Sequence, residues 1–426
     1  MITYPYWADH CLCCSLLVLS EPYLWQCYRF GTRYIAGGCD TKDEIIRFAA
    51  GKLLNADYTI EELSNDQILA CLSQRLPIEF QSTNYAAQAS ERKQVEGHMR
   101  VCLKVDAAFE TMTTTSSSEP LLSEAAYFIM QKSSFNAVKA LKSVMESFAI
   151  SKGDRGEFLV LLLFTLARDV AVGLPDEFGR PFDENRWFGL SDFLCDQVFP
   201  VPDVSSDLMN KESIDAIRNL GKDFPHAQLH FNHFVKVHEQ KAIDITSLLL
   251  LLGRGAGVLC ANNQRSIDSV IPFLQDGTAL SRQNGGFILV QMKNDTKFSN
   301  VPQDELFTVM DPYKLGILEP GDDAVPLIKI VFALAAKTPY LNVVRHGPTQ
   351  DYDAVVSEIW CAGVSPDILG PVQGPDVGIW DALLQASYGW KDLYKMESKA
   401  LGDLRRSAAP GAALDDGHWA HWADRG

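Results

Sequence analysis

Several things are missing from this chain, and each absence removes a class of function. No apolar run is long enough to cross a bilayer: the longest, residues 158–166 and 248–252, fall well short of the ~20 residues that a spanning helix needs. There is no Gly-x-x-x-x-Gly-Lys-Ser/Thr phosphate loop, so no ATPase module is expected. No Gly-x-Ser-x-Gly occurs, which removes the commonest serine hydrolase arrangement, and no His-Glu-x-x-His, which removes the usual zinc protease. Basic residues are in deficit, with 38 Lys and Arg against 54 Asp and Glu and a net charge of -16, which argues against a protein that coats nucleic acid over its whole surface. Net charge is silent about one local groove, and a carboxylate-rich site can meet a phosphate through a cation.

What is present is the composition of a globular protein. Hydrophobic residues make up 47% of 426 and charged residues 22%, a length for which two or three domains is the expectation. Ten cysteines are scattered without a disulfide framework. Cys11, Cys13 and Cys14 lack a second pair at zinc-binding distance, so reduced, buried thiols and an intracellular setting are the reading. The apolar residues 16–19 follow Asp9 and His10 with no basic start or cleavage site, so no signal peptide is read. The abrupt start at Met1 suggests a chain that begins inside a larger architecture.

Apolar residues recur at three- and four-residue spacing in 42–54 and 60–76, which predicts packed helices in a mainly helical region 1–110. Residues 111–119, Thr-Met-Thr-Thr-Thr-Ser-Ser-Ser-Glu, are low in complexity and predict a linker over 111–120. Helical spacing returns in 121–150, giving connecting helices, and 401–426 reads as a mobile tail. Between them, 151–400 reads as an α/β domain with a mixed central sheet flanked by helices.

Within it, Gly153-Asp154-Arg155-Gly156-Glu157-Phe158 opens a strongly apolar helix reaching about Asp169. A second helix ends at Leu252-Gly253-Arg254-Gly255, where glycines suit a left-handed cap. Residues 257–261, 266–273 and 287–292, rich in Val, Ile, Leu and Phe, predict strands, and 324–336 and 352–362 predict helices covering the sheet.

Asp268 sits inside an apolar strand, where an uncompensated charge would be costly. The strand that follows ends in Gln291-Met292-Lys293, whose two-residue period puts Gln291 and Lys293 on one face. Gln291 follows Asp268 by 23 residues, enough for the chain to turn back and set the strands side by side. A carboxylate, an amide oxygen and the Met292 carbonyl make an all-oxygen set suited to Mg²⁺ or Mn²⁺, and the Lys293 ammonium can act on a water beside a phosphate.

By these residues the segment resembles the PD-(D/E)XK nuclease superfamily, with Gln in place of the second acid as in the QXK variant of Mrr-type restriction enzymes. Gly156-Glu157-Phe158 looks like the Glu that this family carries near the start of its first core helix. With Asn-Asn-Gln-Arg and Gln-x-Lys-Asn, the stretch is also similar to nuclease-like domains of fungal mobile-element or Crinkler-type effector proteins. The resemblance implies a restriction-endonuclease-like core, phosphodiester hydrolysis of nucleic acid, DNA above RNA, and hence an intracellular, nuclear location. It implies Asp268 as main metal ligand, Gln291, the Met292 carbonyl and Glu157 as further ligands, and Lys293 beside the attacking water. Gln291 supplies no charge, and about ninety residues separate the first helix from the first strand. The alternative is a catalytically inactive nuclease-like domain acting as an interaction or nucleic-acid-binding module.

A competing cluster is His226, His230, His233 and His238 with Asp223 and Glu239: His226 and His230 would share a helix face at a zinc-compatible spacing. Core or solvated histidines on an aromatic helix are the plainer explanation, and His230 or His233 could instead line the nuclease groove.

Overall fold

A computed structural model describes residues 42–387, apart from 81–84, 108–110, 147–154, 174–186, 203–205, 263, 265, 278 and 351. Cys11, Cys13 and Cys14, the run 16–19, Arg265 and the expected tail 401–426 lie outside the described residues.

The helices form where the local chemistry asks for them. α1 (Lys42–Leu54) is followed by α2 (Asn65–Arg75), which starts later than the spacing predicts because Ser64 and Gln67 close a reciprocal capping box at 3.3 and 2.9 Å. α3 (Tyr85–Gly97) leads into a hairpin of β1 (Arg100–Val105) and β2 (Met112–Ser116). The expected linker 111–120 is therefore corrected: its Thr-rich core is strand, since β-branched threonines suit a pleated ladder once a partner is supplied. α4 (Pro120–Met130) begins on a proline, which costs a helix nothing in its first turn, and α5 (Ala137–Glu146) follows. α6 (Arg155–Val172) is buried all round along 158–164, so it is a core helix rather than a surface one.

The sheet is built from β3 (Phe188–Gly189), then, after α7 (Lys211–Asp223), β4 (Gln228–Leu229) and β5 (His233–Lys236). α8 (Ile245–Gly253) ends with Gly255 in the left-handed region at φ 67°, as its glycines predict, and releases β6 (Ala256–Leu259). β7 (Ser269–Leu274) and β8 (Gly285–Lys293) follow, then the short α9 (Asp304–Thr308) and α10 (Pro312–Leu315). β9 (Leu327–Ala333), β10 (Tyr340–His346), β11 (Val356–Ala362) and α11 (Val377–Ser387) complete the described chain.

These strands make one nine-stranded mixed sheet running β10-β11-β9-β8-β7-β4-β3, with β6 also on β7 and β5 on β6. β7 runs antiparallel to both β6 and β8, whereas β8, β9 and β11 are parallel neighbours. The expectation of helices at 324–336 and 352–362 is corrected here, because both segments are inner strands of the sheet. A parallel strand buried on both faces loses its alternation and reads as a continuous apolar run, which spacing cannot tell from a buried helix.

Alternation along β8 divides the core. Ile288, Val290 and Met292 join α6 and the N-terminal helices on one face, and Phe287 and Leu289 join α8, α9 and α10 on the other. No helix among the described residues is long and apolar enough to cross a membrane.

Candidate functional site

The antiparallel register begins with Ser269 opposite Val290, and Asp268 stands one residue before β7, beside the end of β8 that carries Gln291. The Asp268 backbone donates to the Val290 carbonyl at 2.8 Å and accepts from the Cys260 amide at 2.8 Å, so the position is clamped between β8 and the end of β6. Its side chain folds back along the sheet edge, and Oδ2 accepts the Met292 amide at 2.5 Å. Burial pushes this carboxyl up from its ordinary range, while the Met292 N–H and the Lys293 ammonium oppose the shift. Burial is thus the larger influence on this carboxyl, and a backbone donor and an ammonium offset part of it.

Gln291 is 4% exposed, and its Oε1 has no hydrogen-bond partner. An acceptor left unsatisfied in the interior costs about 1–3 kcal/mol, so this atom has room for a further partner. Met292 presents its amide to Asp268, and in a strand the carbonyl of a residue points to the same side as its amide, so the Met292 carbonyl faces the edge beyond the start of β7. Lys293 lies two residues beyond Gln291 on the same face, its Nζ 5.9 Å from the centre of the Phe298 ring.

Glu157 arrives from α6. A Cβ on Gly156 would come within 2.9 Å of Asn294 Nδ2 and 3.2 Å of Asn294 Cβ, so only the missing side chain lets the helix start settle on the end of β8. The Cys260 thiol reports the neighbourhood: burial pushes it up first, then the charges of Asp268 and Glu157 together. Gln291 and Lys293 thus share one face at the end of β8 with Asp268 beside them, and Glu157 stands at the start of α6, which packs on the opposite face and reaches this end of the sheet through Gly156 and Asn294. Among the described residues no group of three or more His, Cys, Asp and Glu is arranged to hold a metal. The donor set here is of another kind, mixing a carboxylate with an amide oxygen and a carbonyl, and these fit a hard cation.

Sequence reasoning passed over three neighbours. Asn294 joins α11 to this corner through a 2.8 Å bond from Nδ2 to the Ser387 hydroxyl. Gln264, in the loop before Asp268, has both side-chain polar atoms buried without a hydrogen-bond partner. Lys297 shares the Phe298 ring with Lys293. The polar words Asn-Asn-Gln-Arg and Gln-x-Lys-Asn marked two of these places without saying what faced what.

The histidines separate, and the helix expected to carry them is corrected to turns and short strands. Residues 228–236 are short, aromatic and extended, pairing with β6 and β7. His230 stacks on Trp187 at 4.7 Å and donates from Nδ1 to the Leu252 carbonyl at 2.9 Å. His238 is exposed and reaches Glu79 at 3.5 Å. His233 donates from Nδ1 to Asn232 Oδ1 at 2.6 Å and accepts from the Ser118 hydroxyl at 2.8 Å, since the amide oxygen can only accept.

The order hydroxyl, imidazole, amide looks like a nucleophile with its base. The environment argues otherwise: the imidazole is 2% exposed, and burial, Arg254, Arg75 and His230, opposed by Glu124, lower its pKa to about 3. It stays neutral and accepts no proton near neutrality, so it is a buried structural relay. A histidine whose folded pKa lies below its unfolded value of 6.5 destabilises the fold as pH drops below 6.5, by roughly 1 kcal/mol per unit until pH approaches 3. Urea midpoints from pH 7 to pH 4 should fall, and His233→Gln should flatten that slope; an unchanged slope would show that other groups carry the acid sensitivity.

Comparison with family models, with curated proteins and with solved structures returned no match.

Proposed function

We propose that this protein is a metal-dependent nuclease that hydrolyses phosphodiester bonds, with DNA as the favoured substrate, at the corner formed by Asp268, Gln291, Lys293 and Glu157. The observation that carries the reading is the buried, unpartnered Gln291 Oε1, at the end of β8 beside a carboxyl that burial holds above its ordinary range. The Met292 amide occupies only Oδ2 of Asp268, and a cation would serve the oxygens that remain.

Asp268 Oδ1, Gln291 Oε1, the Met292 carbonyl and Glu157 would hold Mg²⁺ or Mn²⁺, which when bound supplies Lewis acidity and charge for a phosphate. Asp268 is oriented for this by the Met292 amide, which occupies Oδ2. Lys293 would orient a water or a non-bridging oxygen with its ammonium. Gly156 and Asn294 set the depth at which Glu157 approaches. A DNA substrate implies an intracellular, nuclear site of action.

A second reading, a catalytically inactive domain that binds partners or nucleic acid, is favoured by the neutral Gln291 and by the net charge of -16. The test is cleavage of plasmid and single-stranded DNA in Mg²⁺, Mn²⁺ or EDTA. Metal-dependent nicking supports the first reading; no cleavage in any metal, with binding retained, supports the second.

Gln291→Glu offers a check that does not depend on turnover. Near Asp268, the new carboxylate should lower the melting temperature in EDTA, and Mg²⁺ or Mn²⁺ should then raise it by more than in the wild type. A melting temperature that ignores both metals would remove the cation from this corner.

A further inference from the structure

We propose that Lys297 is a second phosphate-binding cation of this corner, working beside Lys293 to seat the backbone of a nucleic-acid strand; the proposal rests on the nuclease reading above. Its basis is a short turn that leaves β8 and is pinned at three points. The Asp295 side chain accepts the Lys297 amide at 3.1 Å, and the Asp295 carbonyl accepts the Phe298 amide at 3.1 Å. Phe298 is buried in the core on the Gln291 face, and the next residue, Ser299, accepts the Trp360 indole N–H at 3.2 Å.

This turn fixes the base of an otherwise free lysine. Lys297 is exposed, yet its Nζ lies 5.1 Å from the centre of the Phe298 ring, while that of Lys293 lies 5.9 Å from the same centre. Two ammonium groups are thus gathered about one ring, which concentrates positive charge at this end of β8. An anion that reaches both gains from both charges. The electrostatics then divide: Lys293 lends its charge to the carboxyl of Asp268 at the end of β8, and Lys297 extends the positive potential outward to solvent, where a substrate arrives.

In a chain with 54 acidic residues, two fixed cations at the mouth of a carboxylate site are where a polyanion gains a foothold. The chemical class is a phosphodiester backbone, read through charge and without base contacts. A positioning role of this kind predicts changes in binding and KM more than in kcat.

The experiment measures binding of a fluorescein-labelled DNA duplex of about 20 base pairs by anisotropy across a salt series in EDTA, for wild type, Lys297→Ala, Lys297→Arg and Lys293→Ala. Plasmid nicking in Mg²⁺ is followed in parallel, with Asp268→Asn as control. Lys297→Ala should weaken binding several-fold and lower the slope of log affinity against log salt by about one, Lys297→Arg should retain both, and KM should rise with kcat little changed. If Lys297→Ala binds like wild type while wild type cleaves in an Asp268-dependent way, the inference falls and the nuclease stands. If wild type cleaves in no metal but Lys297→Ala still loses a unit of slope, the anion site stands and the catalytic reading falls. If wild type does not bind the duplex, both fall.

Discussion

Asp268→Asn is expected to abolish metal-dependent cleavage while leaving the protein as stable as before, or more so. The substitution keeps the shape of the side chain, and an amide oxygen can still accept the Met292 N–H that Oδ2 accepts at 2.5 Å. What it removes is the charge. Changes to groups that merely orient metal ligands cost about 10–100-fold, so losing the one carboxylate aligned by the ladder itself should cost more than about 100-fold in rate.

The stability half of this prediction follows from the sign of the pKa shift. Burial raises the folded pKa of Asp268 above its unfolded value of 3.8, so folding favours the protonated form. The stability that it contributes is present below the unfolded pKa and is lost as pH rises through the folded one. At neutral pH without a cation the charged carboxyl therefore works against the fold, and asparagine removes that cost. Lost function with unchanged or higher stability marks a site kept for chemistry. Lys293→Ala, which removes an ammonium placed to act on a water or phosphate, should lower the rate by roughly 10²–10⁴-fold. Initial rates of supercoiled plasmid nicking and thermal melts decide the matter; an Asp268→Asn protein within a few-fold of wild-type rate would remove this carboxylate from the mechanism.

The largest effect on stability should come from Arg168→Met. Arg168 is 1% exposed and makes three contacts at once: Nη2 meets Glu124 of α4 at 2.5 Å, Nη1 meets the adjacent Asp169 at 3.2 Å, and Nε donates to the Phe231 carbonyl between β4 and β5 at 3.0 Å. Arg75 of α2, fully buried, closes the network with paired bonds of 2.7 and 3.2 Å to Asp169. The Tyr127 ring lies 5.6 Å from the Arg75 guanidinium and 5.1 Å from that of Arg168. Two guanidinium groups and two carboxylates balance in charge, so the interior tolerates the set as a whole.

Removing one arginine leaves a buried carboxylate uncompensated, at a cost of about 3–5 kcal/mol. Arg168→Met combined with Glu124→Gln should cost less than the sum of the single changes, because the second removes the charge that the first strands. The network ties α2 and α4 to α6, whose other end carries Glu157, so activity should fall with stability in the single variant. Urea unfolding at neutral pH measures this, and a loss below about 1 kcal/mol would mean that the network contributes little.

The sequence by itself determined much of the site's chemistry and some of its frame. α6, β6, β7 and β8 were legible because an uninterrupted apolar helix and bounded Val- and Ile-rich strands are local patterns. So were the left-handed Gly255 and the shared face of Gln291 and Lys293, which depend only on neighbours in the chain. Asp268 was conspicuous as a lone acid among apolar residues, and the register carries it beside the end of β8 that holds Gln291.

Tertiary structure alone decided the rest. β9 and β11 became strands because each found partners on both sides, and a strand covered on both faces keeps no alternation to read. The Thr-rich residues 112–116 became strand because β1 was there to pair with. The histidines parted because residues 228–236 were drawn into the sheet, which gave His230 to Trp187 and His233 to Ser118, 115 residues away. Arg75 met Asp169 across 94 residues, and Trp360 came to hold Ser299, just past the Phe298 ring that Lys293 and Lys297 share, across 61 residues. Local pattern is written in neighbours three or four residues apart; which buried charge faces which is settled by packing elements far apart in the chain, whose proximity no local period encodes.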